Sequence, residues 1–216
     1  MKPNDASIVQ LMAWAIYGAS PDDEEALGQA RQMLQTLHPK ASLDPETLKL
    51  WGDLHLHRWY LNEQPEDLAE TIFAHEKSFY LRNDYADGIT LAFLLNVRAR
   101  RSEPAEAIAD FVMAQRIRRT AAALCREALA SLRQAERDDP PETTEQERSI
   151  KEKKYQILSA LWEAAVGLGD EASVAQWKQQ AFEAAPSFET LEATQKHLAQ
   201  LNDLLADSPL QYVVVP

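Results

Sequence analysis

The residues that follow Asp87-Gly88 constrain this chain more than any others. Ile89, Leu91, Ala92, Leu94 and Leu95 recur at helical spacing. They make an almost wholly apolar helix, which neighbouring helices must cover on most sides. Asn83, Asp84 and Asp87-Gly88 supply turn chemistry ahead of it, so the stretch 79–99 joins two helices. Six glycines in 216 residues and an abundance of Ala, Leu, Glu and Gln favour helix throughout and argue against a sheet-rich fold.

Taken in order, the chain predicts helical hairpins. Asp5 or Ser7 caps a first helix with an apolar side of Ile8, Leu11, Met12, Ala15 and Ile16. Pro21-Asp22-Asp23 starts a second helix, and His38-Pro39 stops it. Asp44-Pro45-Glu46 opens the next hairpin with a cap and a first-turn proline. Its return helix carries Leu68, Ala69, Ile72 and Phe73. The third hairpin begins at Asp87 or Gly88, turns at Ser102-Glu103-Pro104 and continues in a long helix to Glu136. Two apolar stripes in that helix are out of phase: Ile108, Phe111 and Val112 against Met113, Ile117, Ala121, Leu124, Ala128 and Leu132. Either it bends or it faces different neighbours along its length. The segment 138–147, DDPPETTEQE, is the clearest loop. A further hairpin and a last helix follow, and the closing LQYVVVP has strand propensity without a partner strand.

The expected architecture is all-α: a single domain over 1–208 with hairpins at about 5–38, 44–83, 87–137 and 147–186. A capping helix at 188–206 and an extended tail at 209–216 complete it. A spacing of roughly 40 residues fits a right-handed superhelical array of hairpins better than a closed bundle. The repeat resembles the tetratricopeptide motif. Leu48, Trp51, Gly52 and His55 take the positions of its large, Leu, Gly and Tyr residues, and Ala69 with Phe73 keeps its later Ala-x-x-x-Phe spacing. Tyr155, Leu158 and Trp162, then Ala181 and Pro186, echo the pattern downstream.

A second resemblance rests on Tyr80-Leu81-Arg82-Asn83-Asp84-Tyr85, Gly88-Ile89, Ala92 and Leu94-Leu95, together with Asp44-Pro45-Glu46-Thr47-Leu48-Lys49-Leu50-Trp51-Gly52. Over about 40–100 the chain is similar to the TRAF-binding domain of MAP kinase kinase kinases of the apoptosis-signal-regulating type, and to its bacterial relatives. Ala86 and Thr90 stand where that family has Tyr and Asn. The resemblance implies a regulatory or scaffolding module separated from any effector, serving in bacteria a signalling or defence assembly.

Candidate sites are few. No GxSxG, P-loop, dinucleotide fingerprint, kinase signature or Cys-His framework occurs, so no catalytic residue is expected. His55 and His57 face about 200° apart on a helix and cannot chelate one ion. Asp53 and His57 share a face but supply only two ligands, which suits a surface pair better than a metal site. No cofactor is expected. Cys125 sits on a helical pattern among Ala, Leu and Arg and reads as a small core residue. Trp59 and Tyr60 either fill the core between repeats or line a groove that receives a partner segment. Tyr85 either staples its turn or presents a hydroxyl to a ligand. Arg98, Arg100 and Arg101, with Arg116, Arg118 and Arg119, make the one basic concentration, and Arg98, Arg101, Arg116 and Arg119 are its candidate contacts. They either pair with the protein's own acids or dock an acidic or phosphate-bearing group.

The net charge of −12 disfavours nucleic acid and anionic lipid. No apolar run approaches the roughly 20 residues that span a bilayer, and a cytoplasmic protein is the simplest expectation. The reading that results is an interaction module for another protein or peptide, compatible with self-association. The alternative is a small-ligand-sensing domain, or an accessory subunit of an enzyme, binding near Tyr85 and Arg98.

Overall fold

The computed structural model describes residues 5–206, in which nine helices and no strand occur. The tail expected at 209–216 lies outside the described residues. Two compact units are present: the first ends at Asn83 and the second begins at Asp84. The first holds α1 (Ala6–Ala19), α2 (Glu24–Gln35), α3 (Pro45–Asn62) and α4 (Pro65–Arg82). The second holds α5 (Tyr85–Ala99), α6 (Pro104–Asp138), α7 (Thr144–Leu168), α8 (Glu171–Ala184) and α9 (Phe188–Ala206). The all-α hairpin array expected from the sequence is present: α1 pairs with α2, α3 with α4, α5 with α6 and α7 with α8, while α9 lies on α7 and α5.

Local capping sets the helix starts. Asp44 accepts from the Thr47 amide at 3.1 Å, with Pro45 in the first turn, where a missing N–H costs nothing. Asp84, rather than Asp87 or Gly88, caps α5; its carboxylate accepts from the amides of Ala86 and Asp87 at 2.8 and 3.3 Å. The acidic loop is shorter than expected because Thr143 and Gln146 form a reciprocal capping box that starts α7 at Thr144. Asp23 caps α2, so Pro21 and Asp22 belong to the turn.

Two expected faces are corrected. In α1 the buried residues are Ala13 and Tyr17, with Ile16 packed against the core, whereas Leu11, Met12 and Ala15 are exposed. Both stripes have helical period, and α2 and α3 cover the one built on Ala13 and Tyr17. In α6 one continuous stripe is buried: Ala107, Phe111, Ala114, Ile117, Ala121, Ala122, Cys125 and Leu129. Ile108 and Val112 face outward, so the apparent drift came from counting large residues and passing over alanines.

In the first unit Gly52 marks the close approach of α3 to α4. A Cβ there would stand 3.2 Å from Ala74 Cβ and 3.1 Å from His75 Nε2, and Thr71 donates to the Gly52 carbonyl at 2.8 Å. The expected Asp53–His57 surface pair is absent. Asp53 bonds Lys49 at 2.6 Å, and the His57 ring lies 5.9 Å from Tyr17. Buried His55 instead meets buried Asp67 at 2.5 Å, and Arg58 donates to the same carboxylate oxygen at 3.0 Å. Burial pulls the His55 pKa down against the pull of Asp67, so its neutral form is favoured.

In the second unit Gly167 of α7 has the corresponding role. A methyl there would fall 2.2 Å from Nε of Arg118, a side chain with no exposed surface. Arg118 has nowhere to retreat, so Gly167→Ala should destabilise the protein by about 1–3 kcal/mol through overpacking. In an Arg118→Ala background the same change should become neutral or stabilising by up to about 1 kcal/mol, the helix preference of Ala over Gly. Denaturant melts of the four proteins of this cycle check the reversal of sign.

Candidate binding groove

One recess in which polar side chains of three helices converge is a groove of about 560 Å³ in the second unit, walled by α5, α7 and α9; larger recesses of about 620 and 770 Å³ flank α7 in the same unit. Helix α5 contributes Tyr85 and Thr90, α7 contributes Gln156, Ser159 and Glu163, and α9 contributes Thr194 and His197. Ala86, Ala160 and Ala193 keep it open between these groups. Helix α9 is held in place by polar contacts to α7. The Tyr155 hydroxyl donates to the Thr190 carbonyl at 3.2 Å and lies 2.7 Å from Thr194 Oγ1. The His197 ring lies 4.3 Å from Phe93 of α5, and its Nε2 is 3.1 Å from Glu163 Oε2.

Behind this wall the interior is polar and incompletely matched. Arg118 donates through Nη2 to Asn96 Oδ1 at 2.6 Å and to the Ala92 carbonyl at 3.4 Å. Its Nε and Nη1, Nδ2 of Asn96 and Oε1 of Glu163 are buried without a hydrogen-bond partner in the chain. Burial pulls the Arg118 pKa down to about 10, opposed by the negative charge of Glu163, and the side chain stays cationic at neutral pH. Burial would lower His197 as well, but the hydrogen bond and charge of Glu163 outweigh it and raise the imidazole above its ordinary value. Burial, with the charges of Cys125 and Asp84, raises Tyr85.

The residues singled out in the sequence scatter. Tyr85 lines the groove, and none of the four arginines does. Arg98 grips Asp110 with two parallel hydrogen bonds, Nε to Oδ2 at 2.8 Å and Nη2 to Oδ1 at 2.7 Å. Arg101, Arg116 and Arg119 are exposed. Trp59 is buried and Tyr60 is more than half exposed. Cys125 is fully buried, and burial pushes its thiol up to about 12. Among the described residues no three His, Cys, Asp or Glu side chains form a cluster that could hold a metal ion, and no helix is long and apolar enough to cross a membrane. Sequence reasoning missed Glu163, His197 and Thr194, which α7 and α9 bring to one wall. The signal available was Arg118, in phase with Ala114, Ala121 and Cys125 on the buried stripe.

With this geometry in view, the comparisons bear on the first part of the chain. The model of the family described as Tetratricopeptide Repeats-Sensor matches residues 1–95, somewhat less than half of the sequence. Residues 1–95 are tetratricopeptide-like. Domains of that type suggest protein–protein interaction or scaffolding, and an all-helical fold of this kind is typically non-catalytic. No curated protein and no solved structure matches the chain.

The His197–Glu163 pair gives a pH dependence of defined sign. A raised imidazole pKa means that the folded state binds the proton more tightly than the unfolded one. Its stabilising contribution is therefore complete below the unfolded value of about 6.5 and is lost as pH rises through the folded pKa. Glu163→Gln removes the groups that raise it, leaving burial unopposed. The His197 titration followed by NMR should then fall below the ordinary imidazole value, and the stability gap between wild type and variant should narrow on going from pH 6 toward alkaline pH.

Proposed function

We propose that the chain is a non-catalytic interaction module that takes a short segment of a partner protein into the groove between α5, α7 and α9. The observation that carries this reading is the lining. Hydroxyl, amide and carboxylate groups from three helices converge on an open trough, the complement of a peptide's alternating N–H and C=O groups. The net charge of −12 selects a neutral or basic segment. Exposed Tyr60, Arg101, Arg116 and Arg119 offer further contacts on their own units, while Trp59 and Arg98 serve the fold. In the finer form of this proposal the module serves a cytoplasmic signalling or defence assembly, a reading supported by the resemblance of 40–100 to the TRAF-binding regulatory domain.

A second reading, a small polar ligand in the same groove, is favoured by one observation: the Glu163 carboxylate and the His197 imidazole, 3.1 Å apart, both line it. The word "Sensor" in the matching family's description agrees with it.

Site-specific photo-crosslinking from position 90 in cells tests the first reading. It should yield one protein partner at a single peptide. Thr194→Arg, which fills the trough from the α9 side, should weaken binding of that peptide at least about tenfold, or 1.4 kcal/mol, in calorimetry. A small metabolite that raises the melting temperature of wild type but not of Thr194→Arg, with no crosslinked protein, would establish the second reading instead.

A further inference from the structure

Helix α1 is the least charged of the described helices, and two of its fourteen residues are buried. Its fourteen residues, ASIVQLMAWAIYGA, include no Asp, Glu, Lys, Arg or His, and among the described helices only α1 lacks them. Ala13 and Tyr17 are its buried residues, whereas Leu11, Met12 and Trp14 are 64%, 50% and 56% exposed. Isolated exposed apolar residues are ordinary, but three within four positions of one helix mark a contact surface.

The spacing of that surface says what fits it. Ser7, Leu11, Trp14 and Gly18 are all exposed and recur at intervals of four, three and four, the seam of a two-helix contact. The Trp14 indole lies beside Gly18, about 3.9 Å from where a Cβ would stand. The order is also self-complementary. A two-fold axis between Met12 and Ala13 sets Leu11 opposite Trp14 of an antiparallel second copy, and Ser7 opposite its Gly18. Large residues then meet at the centre, and small ones let the backbones close at the ends. We propose that α1 is a homodimerisation helix whose occupant is α1 of a second copy of this chain.

Charge selects that occupant. Copies carrying −12 each repel wherever their acids face. An uncharged helix is the surface on which they can meet, while a basic partner finds Glu46 as the one counter-charge at the 280 Å³ recess beside Leu11 and Trp14. A helix of fourteen residues is about 21 Å long. One such pair buries less than the roughly 1,200 Å² of a standard interface, so the dimer is weak and reversible. Because its core is apolar and its opposition is long-range repulsion, added salt tightens it, the reverse of an ion-paired interface. The surface lies in the first unit and the groove proposed above in the second, so either assignment can fail without the other.

Sedimentation equilibrium of the full chain over a range of concentrations tests the assignment. The average mass should climb from monomer toward twice monomer, and climb further in higher salt. Leu11→Glu and Trp14→Glu should each weaken the dimer at least tenfold, with helical circular dichroism and melting temperature retained because both positions face solvent. Ser7→Arg, away from the apolar centre, gives a second disruption at the seam's end. An equimolar mixture of Leu11→Glu and Trp14→Lys chains should recover a heterodimer, since the two positions face each other across the axis. A monomer at every concentration, a dimer indifferent to all three substitutions, or a dimer weakened by salt would each overturn the proposal.

Discussion

Keeping α5 dry is the constraint on which the second unit depends. Eleven of its fifteen residues are buried, on every side of the helix. Each fully buried Leu, Ile or Phe contributes about 1.5–3 kcal/mol, so a helix of this kind is stable only when surrounded. Helix α6 supplies the closest cover through Ala107, Ala114, Ala121 and Ala122, whose small side chains admit its neighbours. Helices α7 and α9 pack on the remaining sides. The groove is what remains where α7 and α9 converge on the first turns of α5 and alanines leave space between them. The packing that hides Leu91 and Leu94 thus also positions Tyr85 and Thr90.

Both units hold buried polar atoms without a partner in the chain, among them Arg31 Nε and His55 Nε2 in the first. In the first, two chains of contacts nonetheless lead outward. His55 passes to Asp67 and Arg58, and Trp51 donates to Glu70, which meets Lys40 near the surface at 2.6 Å. In the second, the contacts end inside. Arg118 satisfies Asn96 Oδ1, yet Arg118, Asn96 and Glu163 retain buried atoms without partners in the chain. Leaving such a group unmatched costs on the order of 1–3 kcal/mol. In the second unit these unmatched atoms lie inside, on and next to the Glu163 side of the groove wall.

Much of the architecture was legible because helix ends are written locally. Asp44 with Pro45, and Thr143 with Gln146, act over three residues and need no knowledge of the rest of the chain. Faces were harder. The sequence of α1 contains two stripes of equal period, and only packing on α2 and α3 chooses between them. Partners across elements were not legible at all: His55 and Asp67 are twelve residues apart on separate helices, and Glu163 and His197 are thirty-four apart. Arg118 was counted with the solvated basic concentration because arginine is ordinarily a surface residue, and it is fully buried instead. Its phase with Ala114 and Cys125, and the presence of Gly167 on α7, were the marks of a buried one.

The misread faces have one cause, and it bears on function. Close helix packing rewards small residues, because a methyl group lets two backbones approach where a branched side chain would hold them apart. This chain hides Ala13, Ala30, Ala74, Ala114 and Ala121 and leaves Leu11, Trp14, Ile108 and Val112 outside. Hydrophobic size alone therefore does not rank burial here: Leu27, Leu48, Leu91 and Leu94 share the core with these alanines, while a few equally large residues stay on faces that the chain's own helices leave uncovered. An uncovered Leu or Trp costs solubility and returns nothing to folding, so its place on a regular seam points to contact with another molecule. The interaction surfaces of a helical-repeat chain are found by asking which large residues the fold declines to bury.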